Sequence, residues 1–105
     1  MIARIWHGWT SPENAPKYEY VLKHEVIPSI EDKNIEGFRN IKVLKRTLKD
    51  EIEFITIMQF DNLACIKNFM GDNYDRSYVP ENARKVLSRF DDTVQHYEIV
   101  NEINY

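Results

Sequence analysis

Hydrophobic positions in this chain repeat with the period of a strand at its start and middle, and with the period of a helix in between. Ile2 to Trp9 runs uninterrupted to Thr10, is rich in β-branched and aromatic residues and holds both tryptophans. This predicts a strand. One face carries Ile2, Arg4, Trp6 and Gly8, and the other Ala3, Ile5, His7 and Trp9. Each face has large apolar side chains and an ionisable group, the pattern of a central strand covered on both sides.

Pro16 sets the register of the next element, because proline is tolerated only in a helix's first turn. Asn14 is therefore the expected N-cap of a helix reaching about Ile30, with Pro28 bending its last turn. Its inward stripe is Ala15, Tyr18, Val21, Leu22, Val26 and Ile30, and a projection at about 100° per residue places Glu25 inside that arc. Gly37 opens a second strand, Phe38 to Leu48, which turns at Lys49-Asp50 into a third, Glu51 to Phe60. Ile52, Phe54, Thr56, Met58 and Phe60 share the more apolar face of that third strand. Asp61 is the expected cap of a helix over Asn62 to Met70, ended by Gly71. After a loop from Gly71 to Arg76, Pro80 starts another helix with Ala83, Val86, Leu87 and Phe90 inward. Asp91-Asp92 breaks it, and Thr93 to Val100 is the last expected strand.

Strand, helix, strand, strand, a helix in two pieces, strand: with right-handed crossovers this order gives an α+β, ferredoxin-like βαββαβ sandwich. Its antiparallel sheet has strand order 4-1-3-2, so Ile2–Trp9 is central. Helices cover one face of such a sheet, and the large apolar residues on the other call for a cover. A second copy of the chain is the economical one, which makes a homodimer through the sheet face the expected partner.

The composition fits one domain over residues 1–105, with 43% hydrophobic and 30% charged residues. Fourteen basic against 17 acidic residues give −3, so neither nucleic acid nor an anionic membrane is an expected partner. The one cysteine, Cys65, allows no internal disulfide and fits a reducing compartment. Without a leader-like apolar segment or a membrane-length one, a cytoplasmic protein is expected.

Histidines 7, 24 and 96 are scattered without metal-ligand spacing, and no metal is expected. His7 and His96 lie on neighbouring strands in the expected sheet and can approach each other. His7 is the leading proton-transfer candidate, because imidazole titrates near neutral pH; the alternative is a core histidine satisfied by one hydrogen bond. Glu25 is either a buried carboxylate with a raised pKa or a cationic partner, or a residue that is solvated at the arc's edge or paired with an arginine. Tyr74 and Tyr78 either close over a pocket or pack down their loop. Trp6, Trp9, Phe54, Met58 and Phe69 are core or cavity wall, and suit a flat aromatic ligand.

The chain resembles the antibiotic biosynthesis monooxygenase family of the dimeric α+β barrel superfamily over nearly its full length. The resemblance lies in Ile2–Thr10, Tyr18 with Val26-Ile27-Pro28, Gly37-Phe38-Arg39, Leu44-Lys45-Arg46, Glu51–Thr56, Arg89-Phe90-Asp91 and His96-Tyr97-Glu98. It implies a homodimer whose sheets close into a barrel, with a pocket between each sheet and its helices. It further implies a cofactor-independent monooxygenase acting on a small aromatic or quinol-type molecule. In the haem-degrading branch an asparagine falls where His7 stands, which places Ala3, Ile5, His7 and Trp9 on the pocket side and Ile2, Arg4, Trp6 and Gly8 on the barrel side. This chain lacks that asparagine and has no histidine between Gly71 and Phe90, so the resemblance implies no haem and no other cofactor. The implied catalytic pair is His7 and Glu25, and the implied substrate contacts are Trp9, Tyr18, Phe54, Met58, Phe69 and Tyr74. The same pocket also suits a non-catalytic ligand-binding or stress-associated dimer, or an oxygen-independent lyase or isomerase.

Overall fold

The computed structural model describes residues 1–105. Five strands form one antiparallel sheet: β1 (Ile2–Thr10), β2 (Phe38–Thr47), β3 (Ile52–Phe60), β4 (Arg89–Phe90) and β5 (Gln95–Glu98). The order is β2-β3-β1-β4, with β5 beside β4 on the same edge of β1. This is the expected 4-1-3-2 arrangement with its last strand in two pieces. β5 lies opposite Ile2–Ile5, and β4 opposite Gly8 and Trp9. The residues between them form a bulge that interrupts the pairing with β1. Trp6 donates its indole N–H to the Asp91 carbonyl at 3.2 Å, and the Asp91 N–H reaches the His7 carbonyl at 3.0 Å. Phe90, expected on a helix, therefore belongs to a strand.

Helices α1 (Ala15–Val21) and α2 (Ile27–Glu31) are joined by a π-helical turn, Leu22–Val26, into one continuous rod. Asn14 occupies its N-cap and Pro16 its first turn, as the sequence requires. The wider turn has a visible cause. Pro28 has no N–H, and its ring crowds the carbonyl four residues back, so the chain bonds the Ile27 N–H to the Leu22 carbonyl instead. A π turn rotates less per residue than an α turn. Glu25 is thereby carried out of the inward arc into solvent, while Val26 and Ile30 stay buried.

Helix α3 (Leu63–Met70) is capped by Asn62, whose side chain accepts the Cys65 N–H at 3.1 Å, one residue later than expected. Asp61 is otherwise engaged: its N–H reaches the Gly37 carbonyl and its carboxylate pairs with Arg39. Gly37 is needed here twice over. Its φ is +82°, and a Cβ on it would come within 2.3 Å of Cys65 Sγ. Helix α4 (Glu81–Arg84) is short and follows Pro80. All helices lie on one face of the sheet, and the core between the layers includes Phe54, Phe60, Ile66 and Tyr18. No helix is long and apolar enough to cross a membrane.

Candidate functional site

Register decides which residues meet the helices. β1 pairs with β3 so that Arg4 lies opposite Met58, Trp6 opposite Thr56 and Gly8 opposite Phe54. Directly opposed residues share a face, and Phe54, Thr56 and Met58 are on the buried side of β3. Arg4, Trp6, Gly8 and Thr10 therefore point at the helices, while Ala3, Ile5, His7 and Trp9 point to the open side. This reverses the facing expected for β1. His7 and Trp9 do not line the space between sheet and helices; Arg4 and Trp6 do.

That space contains a cavity of about 40 Å³. Eleven of its 14 surrounding residues are hydrophobic, and Arg4 is the one charged residue among them. Trp6, Thr56 and Met58 form its sheet side, and Tyr18, Leu22, Val26 and Ile30 its long-helix side. Tyr78, Val79 and Pro80 close the third side. Ser29 Oγ donates to the Val26 carbonyl at 2.7 Å, so the 3.3 Å contact with Tyr78 Oη is a bond donated by the tyrosine. Burial pushes the Tyr18 phenol far above its ordinary range, so it stays neutral.

Arg4 is 3% exposed. Its Nη1 donates to the Tyr74 carbonyl at 2.6 Å and to His96 Nε2 at 2.9 Å, and its Nη2 to the Arg76 carbonyl at 2.6 Å. Because a guanidinium only donates, His96 Nε2 is an acceptor and the ring proton sits on Nδ1, which faces Asp75 Oδ1 at 3.2 Å. Burial pulls the Arg4 pKa down to about 10, with Asp75 acting in the opposite direction. Burial and the adjacent Arg4 charge lower the His96 pKa from its ordinary value, against the pull of Asp75. The carbonyls that hold Arg4 come from a loop stitched to the bulge after β4, through Ser77 N–H to the Asp92 carbonyl and Val94 N–H to the Asp75 carbonyl.

The His96 shift has a consequence for stability. The folded pKa is depressed, so the unfolded chain binds the proton more readily below its own pKa of about 6.5. The contribution of neutral His96 is present above that pH and is lost as pH falls through the window below it. Urea midpoints measured across pH 7.5 to 5.5 are expected to fall in the wild type, and to fall less in His96→Gln. Equal slopes would show that His96 does not titrate in this environment.

The other expected site residues are dispersed. Glu25 is exposed and accepts from Asn82 Nδ2 at 2.9 Å, away from the cavity. Phe54 is buried beneath Tyr18, with ring centroids 4.8 Å apart. Met58 and Tyr18 line the cavity as expected. Phe69 packs against Phe60 and Tyr78 and lies 5.9 Å from the Arg4 guanidinium carbon. Tyr74 contributes its carbonyl to Arg4 while its ring packs on His96. His7 and His96 lie on opposite faces of the sheet and do not meet.

His7 instead belongs to a shallow depression on the open face with Leu44, Lys45, Arg46, Glu53 and Ile55. Its Nδ1 is 3.4 Å from Glu53 Oε2, its ring stacks on Trp9 and Arg89 lies over Trp9. Burial alone would push the Glu53 carboxyl up. Hydrogen bonds from Arg46 and His7 outweigh that and hold it below the usual carboxylate range.

No protein-family model and no curated protein matches the chain. Solved structures do. An antibiotic biosynthesis monooxygenase-type protein from Bacillus cereus superposes with a TM-score of 0.63 at 12% identity, over 99% of this chain and 97% of that one. One from Deinococcus radiodurans gives 0.62 at 14%, over 100% and 98%. The haem degrader MhuD of Mycobacterium tuberculosis, solved with two haems bound, gives 0.64 at 15%, over 99% and 100%. At these identities the likeness establishes the fold: the chain has the ferredoxin-like α+β fold of antibiotic biosynthesis monooxygenase-type proteins.

Proposed function

We propose that this chain is a cofactor-independent monooxygenase that oxidises a small quinol-type aromatic in the cavity between sheet and helices, as a homodimer joined through the open sheet face. The observation that carries the reading is the cavity itself: a largely apolar space between sheet and helices holding one charged group, in a fold shared with monooxygenase-type proteins. An ionised quinol is a strong reductant, and a space poor in water keeps it and partly reduced oxygen from side reactions. The reaction balances without an external reductant. A quinol and one O₂ give a hydroxyquinone and one water; a ring C–H becomes C–O, and all four electrons come from the ring. At about 40 Å³ the cavity holds about three water-sized groups. A ring enters only when flexible Met58 and the Tyr78 side turn outward.

Oxygen uptake over a panel of quinols tests this. One O₂ is expected per quinol consumed, with one labelled oxygen from ¹⁸O₂ in the product. Ala83→Leu, which fills the cavity from α4, is expected to cut turnover at least tenfold. His7→Ala leaves turnover within a factor of about two, because His7 faces the other way.

A second reading rests on the His7–Glu53 pair. Glu53 holds Nδ1 of the ring and leaves Nε2 free, the arrangement of an oriented general base. It suits an oxygen-independent lyase or isomerase working on the open face. Loss of turnover in His7→Ala, with no oxygen consumed, would select this reading over the first.

A further inference from the structure

Arg4 carries a buried charge that no carboxylate of the protein touches directly. Charged side chains this deeply buried are ordinarily paired with an opposite charge. Arg4 has no carboxylate at ion-pair distance: Asp75, which acts on it from further off, is engaged with His96. Every acceptor it does meet is neutral: two backbone carbonyls and the lone pair of a neutral imidazole. Three of its five N–H groups are used in this way. The Nε–H and one N–H of Nη2 have no protein acceptor, although the residue is 3% exposed and lines the cavity.

The rest of the cluster fixes the guanidinium. Tyr74 and Arg76 supply carbonyls from one loop, and the Phe69 ring lies alongside. His96 holds Nη1 from β5, and Asp75 in turn holds the His96 ring in the tautomer that accepts. A cation fixed in this way, with apolar surroundings and N–H groups that have no protein acceptor but are not sealed from accessible space, is preorganised for a planar oxyanion, where a charge-assisted hydrogen bond is strong.

We infer that Arg4 is an anion anchor, and that the cavity's ligands are aromatic rings bearing one oxyanion, phenolate or carboxylate, bonded to its free N–H groups. The inference rests on the cavity reading above and names its substrate class. His96 and Asp75 act through Arg4 and are positioning residues.

Three probes of similar size separate the possibilities: 4-nitrophenolate, 4-nitrobenzoate and neutral nitrobenzene, each titrated into the full-length protein at a pH above the nitrophenol pKa and followed by quenching of tryptophan fluorescence. At least one anion is expected to bind tenfold or more tightly than nitrobenzene, and which of the two does so identifies the oxyanion. The preference is expected to vanish in Arg4→Gln, which can still donate to the loop carbonyls, and to survive within about threefold in Arg4→Lys. His96→Gln is expected to weaken the anion alone and leave nitrobenzene unchanged. Should Arg4→Gln fail to fold, the wild-type comparison of charged and neutral rings still decides. Equal affinities, or a preference that persists in folded Arg4→Gln, would overturn the anchor while leaving the cavity a ring site. If no ring binds, the cavity reading itself fails and the anchor with it. Anion preference without oxygen uptake on quinols keeps the anchor and removes the monooxygenase.

Discussion

Phe60→Ala is expected to cost about 3–5 kcal/mol, the largest loss of any single truncation considered, and to lower the melting temperature by more than about 12 °C. Phe60 ends β3 and is 0% exposed. Ile2 and Phe38 are its partners on the two neighbouring strands. Its ring lies 5.3 Å from that of Phe38 and 6.2 Å from that of Phe69 on α3. It therefore joins three strands to the helix layer at one point, and neighbours anchored in a sheet cannot collapse into the space a methyl group leaves. Leu44, on β2 and 43% exposed on the open face, supplies the contrast. Truncating it removes little packing within one protomer, so Leu44→Ala changes protomer stability by less than about 1 kcal/mol. Thermal melts of the two variants make the comparison. A Phe60→Ala loss under about 1 kcal/mol would mean that the core does not close around this residue.

The same aromatic shows how much of the fold was legible in the sequence. The faces of β3 were readable because Ile52, Phe54, Thr56, Met58 and Phe60 carry one polar residue in five, against three in five for Glu51, Glu53, Ile55, Ile57 and Gln59. The hairpin and the helix start at Asn14 followed from turn and proline chemistry, which are local. What could not be read was the facing of β1. Both of its rows mix large apolar residues with one ionisable group, so burial of either row is plausible from composition alone. The deciding fact is the parity of the β1–β3 register, which sets even-numbered residues opposite even-numbered ones. That parity is long-range, because the two strands are joined through a helix and another strand. Carrying a site position over from a resembling family by matching N-termini inherits the same weakness: a shift of one residue exchanges Trp6 for His7 and turns the site inside out.

Other differences have local causes that a projection cannot contain. Glu25 was placed inward by counting at a constant angle, and Pro28 changes that angle by enforcing a π turn. Phe90 fits a helical stripe with Ala83, Val86 and Leu87, yet it pairs with Gly8 because the last strand begins before the bulge rather than after it. Arg4 was visible only as a charge within an apolar strand. Its three acceptors lie 70 to 92 residues away in sequence, and no short-range pattern announces them.

Gly8→Ala is expected to destabilise the protein by about 1–3 kcal/mol, against the usual direction for glycine in a strand. Alanine ordinarily stabilises such a position by restricting the unfolded chain. Here the first added carbon has nowhere to go. A Cβ on Gly8 would lie 2.3 Å from Trp6 Cη2 and 2.8 Å from Cζ2, because the indole two residues back lies across the glycine on the same face. Trp6 is 8% exposed, its N–H is committed to the Asp91 carbonyl and its ring meets Phe90 at 6.5 Å. A rigid bicyclic ring held at both ends cannot step aside within its rotamer. It must either drag the Asp91 bulge with it or tilt into the cavity that it walls. The first route loosens the strand break that carries the Asp92 and Val94 contacts to the Arg4 loop; the second occupies the space a ligand would use. Both link one missing methyl group in β1 to the site, so Gly8→Ala is expected to lower the melting temperature and to weaken binding of nitrobenzene and of its anionic analogues together. Tryptophan emission in a Trp9→Phe background, where Trp6 is the only indole, reads the displacement. A variant as stable as the wild type, with unshifted emission, would show that the indole does not rest on Gly8 and that the cavity's sheet side is not built as described.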